Sequence, residues 1–228
     1  MRNKILFLLL IIICNVNLYF QHNARVIEDL IYKSEKLNLE IKYSIYLPPD
    51  YYTNTRTYPV LYLIHGAGGN NNGWLRFGKI NQLVDKMIDE NKIGPFIIVM
   101  PTMGPYSFYL NWLNGPKWED GFVEFVDYID KNYRTLKQFG GMMMQRPARG
   151  IGGISMGGYG ALSLGFKHPD LFNSVISFSG FLVPDLIKKG QTPFDNFQVD
   201  ETTKKQMDIL LTGIFDKPFN VDYWNSNN

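Results

Sequence analysis

Apolar positions in this chain fall into two patterns. Leu39-Glu40-Ile41-Lys42-Tyr43-Ser44-Ile45-Tyr46-Leu47 alternates apolar and polar residues, the two-residue period of a half-buried strand. Pro48-Pro49-Asp50-Tyr51 ends it. Together with the residues from about Val26 onward, it predicts two antiparallel strands. Val60-Leu61-Tyr62-Leu63-Ile64 and Phe96-Ile97-Ile98-Val99-Met100 are instead continuous apolar runs, as expected of buried parallel strands, and Pro101 stops the second. Arg149 to Ile154 and Val175 to Gly180 predict two more strands. Between them, Leu83 to Glu90 predicts a short amphipathic helix. Phe122 to Tyr133 predicts another, with Phe122, Phe125, Val126 and Ile129 on one face. Tyr159 to Lys167 is a small-residue helix suited to close packing on a sheet, and His168-Pro169 ends it. Strands alternating with helices predict an α/β fold, a mostly parallel sheet with helices on both faces. Gly140 to Gln145 reads as a flexible surface loop. From Leu182 to Asn228 the pattern weakens into short helical fragments and turn residues.

Composition narrows this little. A chain of 228 residues with 45% apolar and 19% charged residues is long enough for one domain with a real core. The net charge of +2 gives no reason to expect a nucleic-acid partner. The N-terminus is more telling. Arg2 and Lys4 precede an apolar run from Ile5 to Ile13, the charged and hydrophobic regions of a secretory signal peptide. That run is too short for a stable membrane span. The chain divides into a signal segment over 1–22 and one domain over 23–228, which predicts a secreted or periplasmic protein. Cys14 is the only cysteine, so the mature domain forms no internal disulfide. A lipid-anchoring motif at Cys14 would need a small residue before it, and Ile13 stands there.

The chemistry lies in Gly153-Ile154-Ser155-Met156-Gly157-Gly158-Tyr159-Gly160. The spacing G-x-S-x-G puts a serine on a sharp strand-to-helix turn with its hydroxyl clear of the sheet. Small flanking residues let the backbone turn without clashes. The strand predicted before the motif and the helix predicted after it separate it from an ordinary glycine-rich loop. A serine nucleophile also needs a base, and the chain has three histidines, His22, His65 and His168. His168 comes thirteen residues after Ser155, near the far end of the helix. At a rise of 1.5 Å per residue that is roughly 20 Å away, whereas a base must sit within about 3 Å of the serine oxygen. His65 stands at the mouth of the glycine-rich loop after Val60–Ile64. His22 falls within the signal segment. Asp195, Asp200, Asp208, Asp216 and Asp222 could supply an acid, but an acid with no histidine to orient does nothing useful.

In order along the chain, Ile45-Tyr46-Leu47-Pro48-Pro49-Asp50-Tyr51, Tyr58-Pro59-Val60-Leu61-Tyr62-Leu63-Ile64-His65-Gly66, Gly68-Gly69-Asn70 with Trp74, and Val99-Met100-Pro101 resemble the esterase D family of α/β-hydrolases. So do Arg149 through Leu162, His168-Pro169-Asp170-Leu171-Phe172 and Ser179-Gly180. Relatives in that group include S-formylglutathione hydrolases, tributyrin esterases, feruloyl esterases and mycolyltransferases. The resemblance covers nearly everything from residue 26 to 180 and is most specific around the serine.

It implies an α/β-hydrolase fold and an acyl-enzyme on Ser155. The backbone N–H of Met156 would be one oxyanion donor. The glycine-rich loop would supply the other, first from Ala67 and second from Gly66. His65 would order that loop by hydrogen bonding. No metal or cofactor is implied. The substrate would be a small acyl ester or an acylated carbohydrate. In the family the triad acid and histidine follow the serine, and neither stands there in this chain. The expectation is therefore a truncated or impaired copy lacking its last strands, able to self-associate through an unpaired sheet edge. The alternatives are an acyltransferase of the mycolyltransferase type and a non-catalytic binding protein on the same fold.

Overall fold

In the computed structural model, the described residues are 25–140, 145–180, 200–202, 205 and 222. Six strands form one sheet in the order β1-β2-β4-β3-β7-β8. These are β1 (Val26–Ser34), β2 (Leu39–Tyr46), β3 (Val60–Ile64), β4 (Ile97–Pro101), β7 (Arg149–Ile154) and β8 (Ser174–Phe178). Two-residue strands β5 (Gln138–Phe139) and β6 (Arg146–Pro147) pair separately. The helices are α1 (Gly73–Arg76), α2 (Ile80–Asp89), α3 (Trp118–Asn132) and α4 (Met156–Lys167). Residues 1–24, with the predicted signal segment, residues 141–144 of the predicted loop and most of the chain after Gly180 lie outside the described residues.

Strand direction follows the sequence patterns. The alternating strand β2 pairs antiparallel with β1 and with β4. The apolar runs β3 and β4 pair in parallel, as do β3 with β7 and β7 with β8. Successive side chains on a strand point to opposite faces, and the core divides accordingly. Val60, Tyr62 and Ile64 of β3, with Ile97, Val99 and Ile151, pack under Phe122, Phe125, Val126 and Ile129 of α3 and Ala161 and Leu164 of α4. Leu63, Ile98 and Met100 face the other way, onto Leu75 of α1 and Val84 of α2. Helices cover both faces, the predicted layering.

This strand order locates a crevice. After β3 the chain crosses to β4 on one side, and after β7 it crosses to β8 on the other. Adjacent parallel strands whose connections diverge leave an opening beyond their carboxyl ends, where α/β sheets bind ligands. Here that opening lies between the loops after Ile64 and Ile154. At the opposite end of β7, Arg149 forms a buried ion pair with Asp130 of α3, whose other carboxylate oxygen accepts from Thr135 Oγ1 at 2.8 Å. Breaking such a pair leaves a buried charge uncompensated. Asp130→Ala is expected to cost about 3–5 kcal/mol in urea unfolding, with the Arg149 guanidinium stranded.

Candidate active site

Ser155 occupies the corner between β7 and α4 with φ 55° and ψ −118°, a conformation that a residue bearing a Cβ rarely adopts. The turn is held from both sides. The Ser155 N–H donates to Phe178 O of β8 at 2.9 Å, and the Tyr159 N–H donates to Ser155 O at 3.1 Å. The side chain is left exposed while the helix behind it, from Met156 through Ala161, is buried. Strained backbone that the surroundings over-determine is characteristic of functional positions. This corner aims a hydroxyl outward at the carboxyl end of the sheet.

Close packing sets the distance from this corner to the next loop. A methyl group on Gly157 would stand 2.6 Å from the carbonyl oxygens of both Ile64 and His65. Only glycine lets the helix start so near the end of β3. On the other side, a methyl group on Gly66 would stand 3.1 Å from Ile154 O and 3.4 Å from Ser155 Cβ. The two loops thus meet at Ser155. Met156 opens α4, so its N–H has no partner within the helix. Neither it nor the Ala67 N–H donates a hydrogen bond to any described residue.

The 65–72 loop is braced by the segment after β4. His65 is 3% exposed. Its Nδ1–H donates to Gly66 O at 2.8 Å, and its Nε2 accepts from the Met103 N–H at 3.3 Å. A carbonyl only accepts and an amide N–H only donates, so the tautomer is fixed and both ring nitrogens are occupied. Tyr109 Oη donates to His65 O at 2.9 Å, and the Gly68 N–H donates to Pro105 O at 2.7 Å. His65 therefore orders the loop, as the sequence suggests, and has no nitrogen left for Ser155. His168 sits at the far end of α4 with Nε2 3.0 Å from Glu119 Oε1. His22 lies outside the described residues, as do Asp195, Asp208 and Asp216, while Asp200 and Asp222 are exposed. No group of three or more His, Cys, Asp or Glu among the described residues could hold a metal ion.

A cavity of about 400 Å³ opens beside the glycine-rich loop, with Gly66, Ala67, Trp74, Phe77 and Ile154 in its walls. Trp74 is fixed there by its Nε1–H, which donates to Ile64 O at 3.2 Å, and its ring centroid is 5.9 Å from that of Phe178. A second cavity of about 570 Å³ lies around Val60, Phe96, Arg149 and Ser174, at the opposite end of the sheet. A six-residue strand spans roughly 20 Å, so that larger space is remote from Ser155. Sequence reasoning picked out Trp74 but missed Phe77, Tyr109 and Asn71, which carry no spacing signal.

A sheet of this order, with an elbow serine opposite a braced glycine-rich loop, is an α/β-hydrolase. The profile of the esterase family, described as "Putative esterase", matches residues 34–213, and the chain belongs to that family. It is by family a serine esterase. An esterase of Mycobacterium tuberculosis is 37% identical over 142 residues, covering 60% of this chain and 28% of the relative. An endo-1,4-β-xylanase/feruloyl esterase of Xylanibacter ruminicola is 29% identical over 172 residues, 71% of this chain and 23% of that protein. The chain thus spans less than a third of these curated relatives. Among solved structures, a ferulic acid esterase is 33% identical with a TM-score of 0.61, over 68% of this chain and 59% of the other. An S-formylglutathione hydrolase of Staphylococcus aureus shares the fold at 20% identity and TM-score 0.58, over 89% and 75% of the two chains.

Burial holds the His65 pKa below its ordinary value of 6.5, against the opposing effect of the Gly66 carbonyl. As pH falls through 6.5 the unfolded chain takes up a proton at this position first. The contribution of neutral His65 is complete above that pH and is lost toward the lower, folded value. Urea midpoints measured from about pH 7 down to about pH 5 are expected to decline less steeply in His65→Gln than in the parent protein.

Proposed function

We propose that this chain is an exported carboxylic-ester hydrolase that acts through an acyl-enzyme on Ser155. The observation that supports it best is the exposed, positive-φ Ser155 set against the Gly66 loop by the close approach at Gly157. In this reading Ser155 Oγ attacks the ester carbonyl. The oxygen that becomes negative is received by the N–H groups of Met156 and Ala67, with Gly66 as the second choice on the loop side. The tetrahedral intermediate collapses by breaking the bond to the alcohol, which leaves the acyl group on Ser155, and water later releases the acid.

The substrate we propose is an acyl or aryl-acyl ester, including one carried on a carbohydrate. The cavity beside Ala67 has the size of a small-ligand site, and flat aromatic walls at Trp74 and Phe77 suit a planar acyl group. The relative from Xylanibacter ruminicola and the solved ferulic acid esterase point the same way. The leader-like segment over 1–22 supports export, and no helix among the described residues is long and apolar enough to cross a membrane.

We further propose that the chain alone acylates slowly and turns over more slowly still. His65 and His168 are both engaged away from Ser155, so the proton from Ser155 passes to solvent. Losing the base of a serine hydrolase costs on the order of a million-fold in turnover and leaves roughly a thousand-fold over water. The test is labelling by a fluorophosphonate probe together with p-nitrophenyl acetate kinetics. The expected result is slow stoichiometric labelling and a burst of about one equivalent of p-nitrophenol followed by little turnover, both lost in Ser155→Ala. Labelling that persists in Ser155→Ala would remove Ser155 as the nucleophile.

A further inference from the structure

We propose that Asn71 is a positioning residue for the oxyanion loop, anchored by Asp29 on the first strand. This rests on the serine-esterase reading above and adds a residue that never touches substrate.

The loop consists of two consecutive turns. The Gly69 N–H donates to Gly66 O at 3.0 Å, and the Gly73 N–H donates to Asn70 O at 3.2 Å. Asn71 is at the corner of the second turn and is 3% exposed. Its backbone N–H donates to Thr102 Oγ1 at 2.7 Å, and Thr102 Oγ1 donates back to Asn71 Oδ1 at 3.0 Å. Its Nδ2 has two hydrogens and three acceptors in reach, Ser44 Oγ at 2.8 Å, Asp29 Oδ1 at 3.0 Å and Asn72 Oδ1 at 3.1 Å, so one hydrogen is shared between two of them. One side chain thus ties the loop to β1, to β2 and to the segment after β4. No other residue in the network reaches all three. Asn71 and Ser44 are buried at the centre of this network, where hydrogen-bonded polar groups favour one geometry, while Asp29 closes it from the exposed side.

Asp29 carries a second, independent sign of this role. It has φ 56° inside β1, at the point where the β1–β2 register slips between Ile27 and Leu30. Bulges of this kind redirect a side chain. Here the bulge turns one carboxylate oxygen toward both Asn71 Nδ2 and Asn72 Nδ2, the latter at 3.1 Å. The Asn71 hydrogen bond is the largest effect on the Asp29 pKa, which lies below its ordinary value, so the acceptor stays ionised. Strain in an edge strand is thereby used to hold the loop that meets Ser155 at Gly66.

The experiment exchanges the polarity of the pair. Asn71→Asp sets two carboxylates against each other, and Asp29→Asn in that background restores one donor and one acceptor. Fluorophosphonate inactivation is measured as a limiting rate and a half-saturating concentration. In this reaction Ser155 Oγ bonds to phosphorus, the P–F bond breaks, fluoride leaves, and the serine proton goes to solvent. A mispositioned oxyanion donor acts on the limiting rate and spares initial binding. Asn71→Asp is expected to lower that rate by about tenfold or more with half-saturation within about twofold. The double variant is expected to recover to within about threefold. Amide hydrogen exchange supplies a readout free of chemistry: Asn71→Asp raises exchange across residues 66–72, and the double variant reverses it. Failure of the double variant to recover either rate or protection overturns the proposal. So does a lowered melting temperature with the limiting rate unchanged. If the parent protein is not labelled at Ser155, the esterase reading fails, and the exchange measurement still decides the role of Asn71.

Discussion

The contact on which the site depends is the one between Gly157 and the carbonyl oxygens of Ile64 and His65. It fixes how far the start of α4 stands from the end of β3. The distance between the Met156 N–H and the glycine-rich loop follows from it, and so does the approach of Gly66 to Ser155. A side chain at Gly157 would push the helix off the strand and open the crevice between the two loops. A methyl group there would fall well inside van der Waals contact with backbone, which cannot rotate away as a side chain can. The elbow is therefore a packing arrangement among β3, β7 and α4, and Ser155 sits at its outer corner.

The second constraint acts on the loop itself. Its 65–72 backbone lies beyond the end of the sheet and gains nothing from ladder hydrogen bonds, so side chains and a neighbouring loop hold it instead. Met103, Pro105 and Tyr109 hold its first half through His65 and Gly68. Asn71, with Thr102, Ser44 and Asp29, holds its second half. Tyr109 itself adopts a positive φ of 58°, next to Phe108 at 49°. Two positive-φ residues without the freedom of glycine, Asp29 and Tyr109, thus hold one loop by hydrogen bonds. Preorganised donors stabilise a developing charge because they need no reorganisation when it forms. Rigid support from behind is what such donors require.

Much of this was legible in the sequence, and the reasons are physical. Val60–Ile64 and Ile97–Pro101 are buried on both faces, so their apolar runs identify them as parallel strands. The G-x-S-x-G spacing marks a turn whose geometry needs those residue types, which is why Ser155 and Met156 could be placed before any coordinates. Helix starts were read late. α2 begins at Ile80 and α3 at Trp118, ahead of the expected Leu83 and Phe122, and both first residues pack against the core one turn before the start of the stripe read from sequence. α4 begins at Met156, ahead of the expected Tyr159, since Met156, Gly157 and Gly158 are all buried and form no amphipathic pattern. The Asn71 network was invisible for a different reason. It joins residues 27 to 42 positions apart through single hydrogen bonds, and nothing in a local pattern encodes such pairings.

The arrangement also explains how the chain can hold Ser155 and the glycine-rich loop in place while both described histidines are used elsewhere. Ser155, Met156 and Ala67 are placed by sheet order, glycine contacts and the His65 brace. None of these supports involves a base for Ser155. The nucleophile half of the site is thus built entirely from β1 through α4, and its geometry stands whether or not a proton acceptor is at hand. Attack by a serine and release of its acyl group both call on a base, and His65 and His168 are engaged with other partners. Among the described residues, the packing sets Ser155 at an exposed corner and pairs its hydroxyl with no histidine.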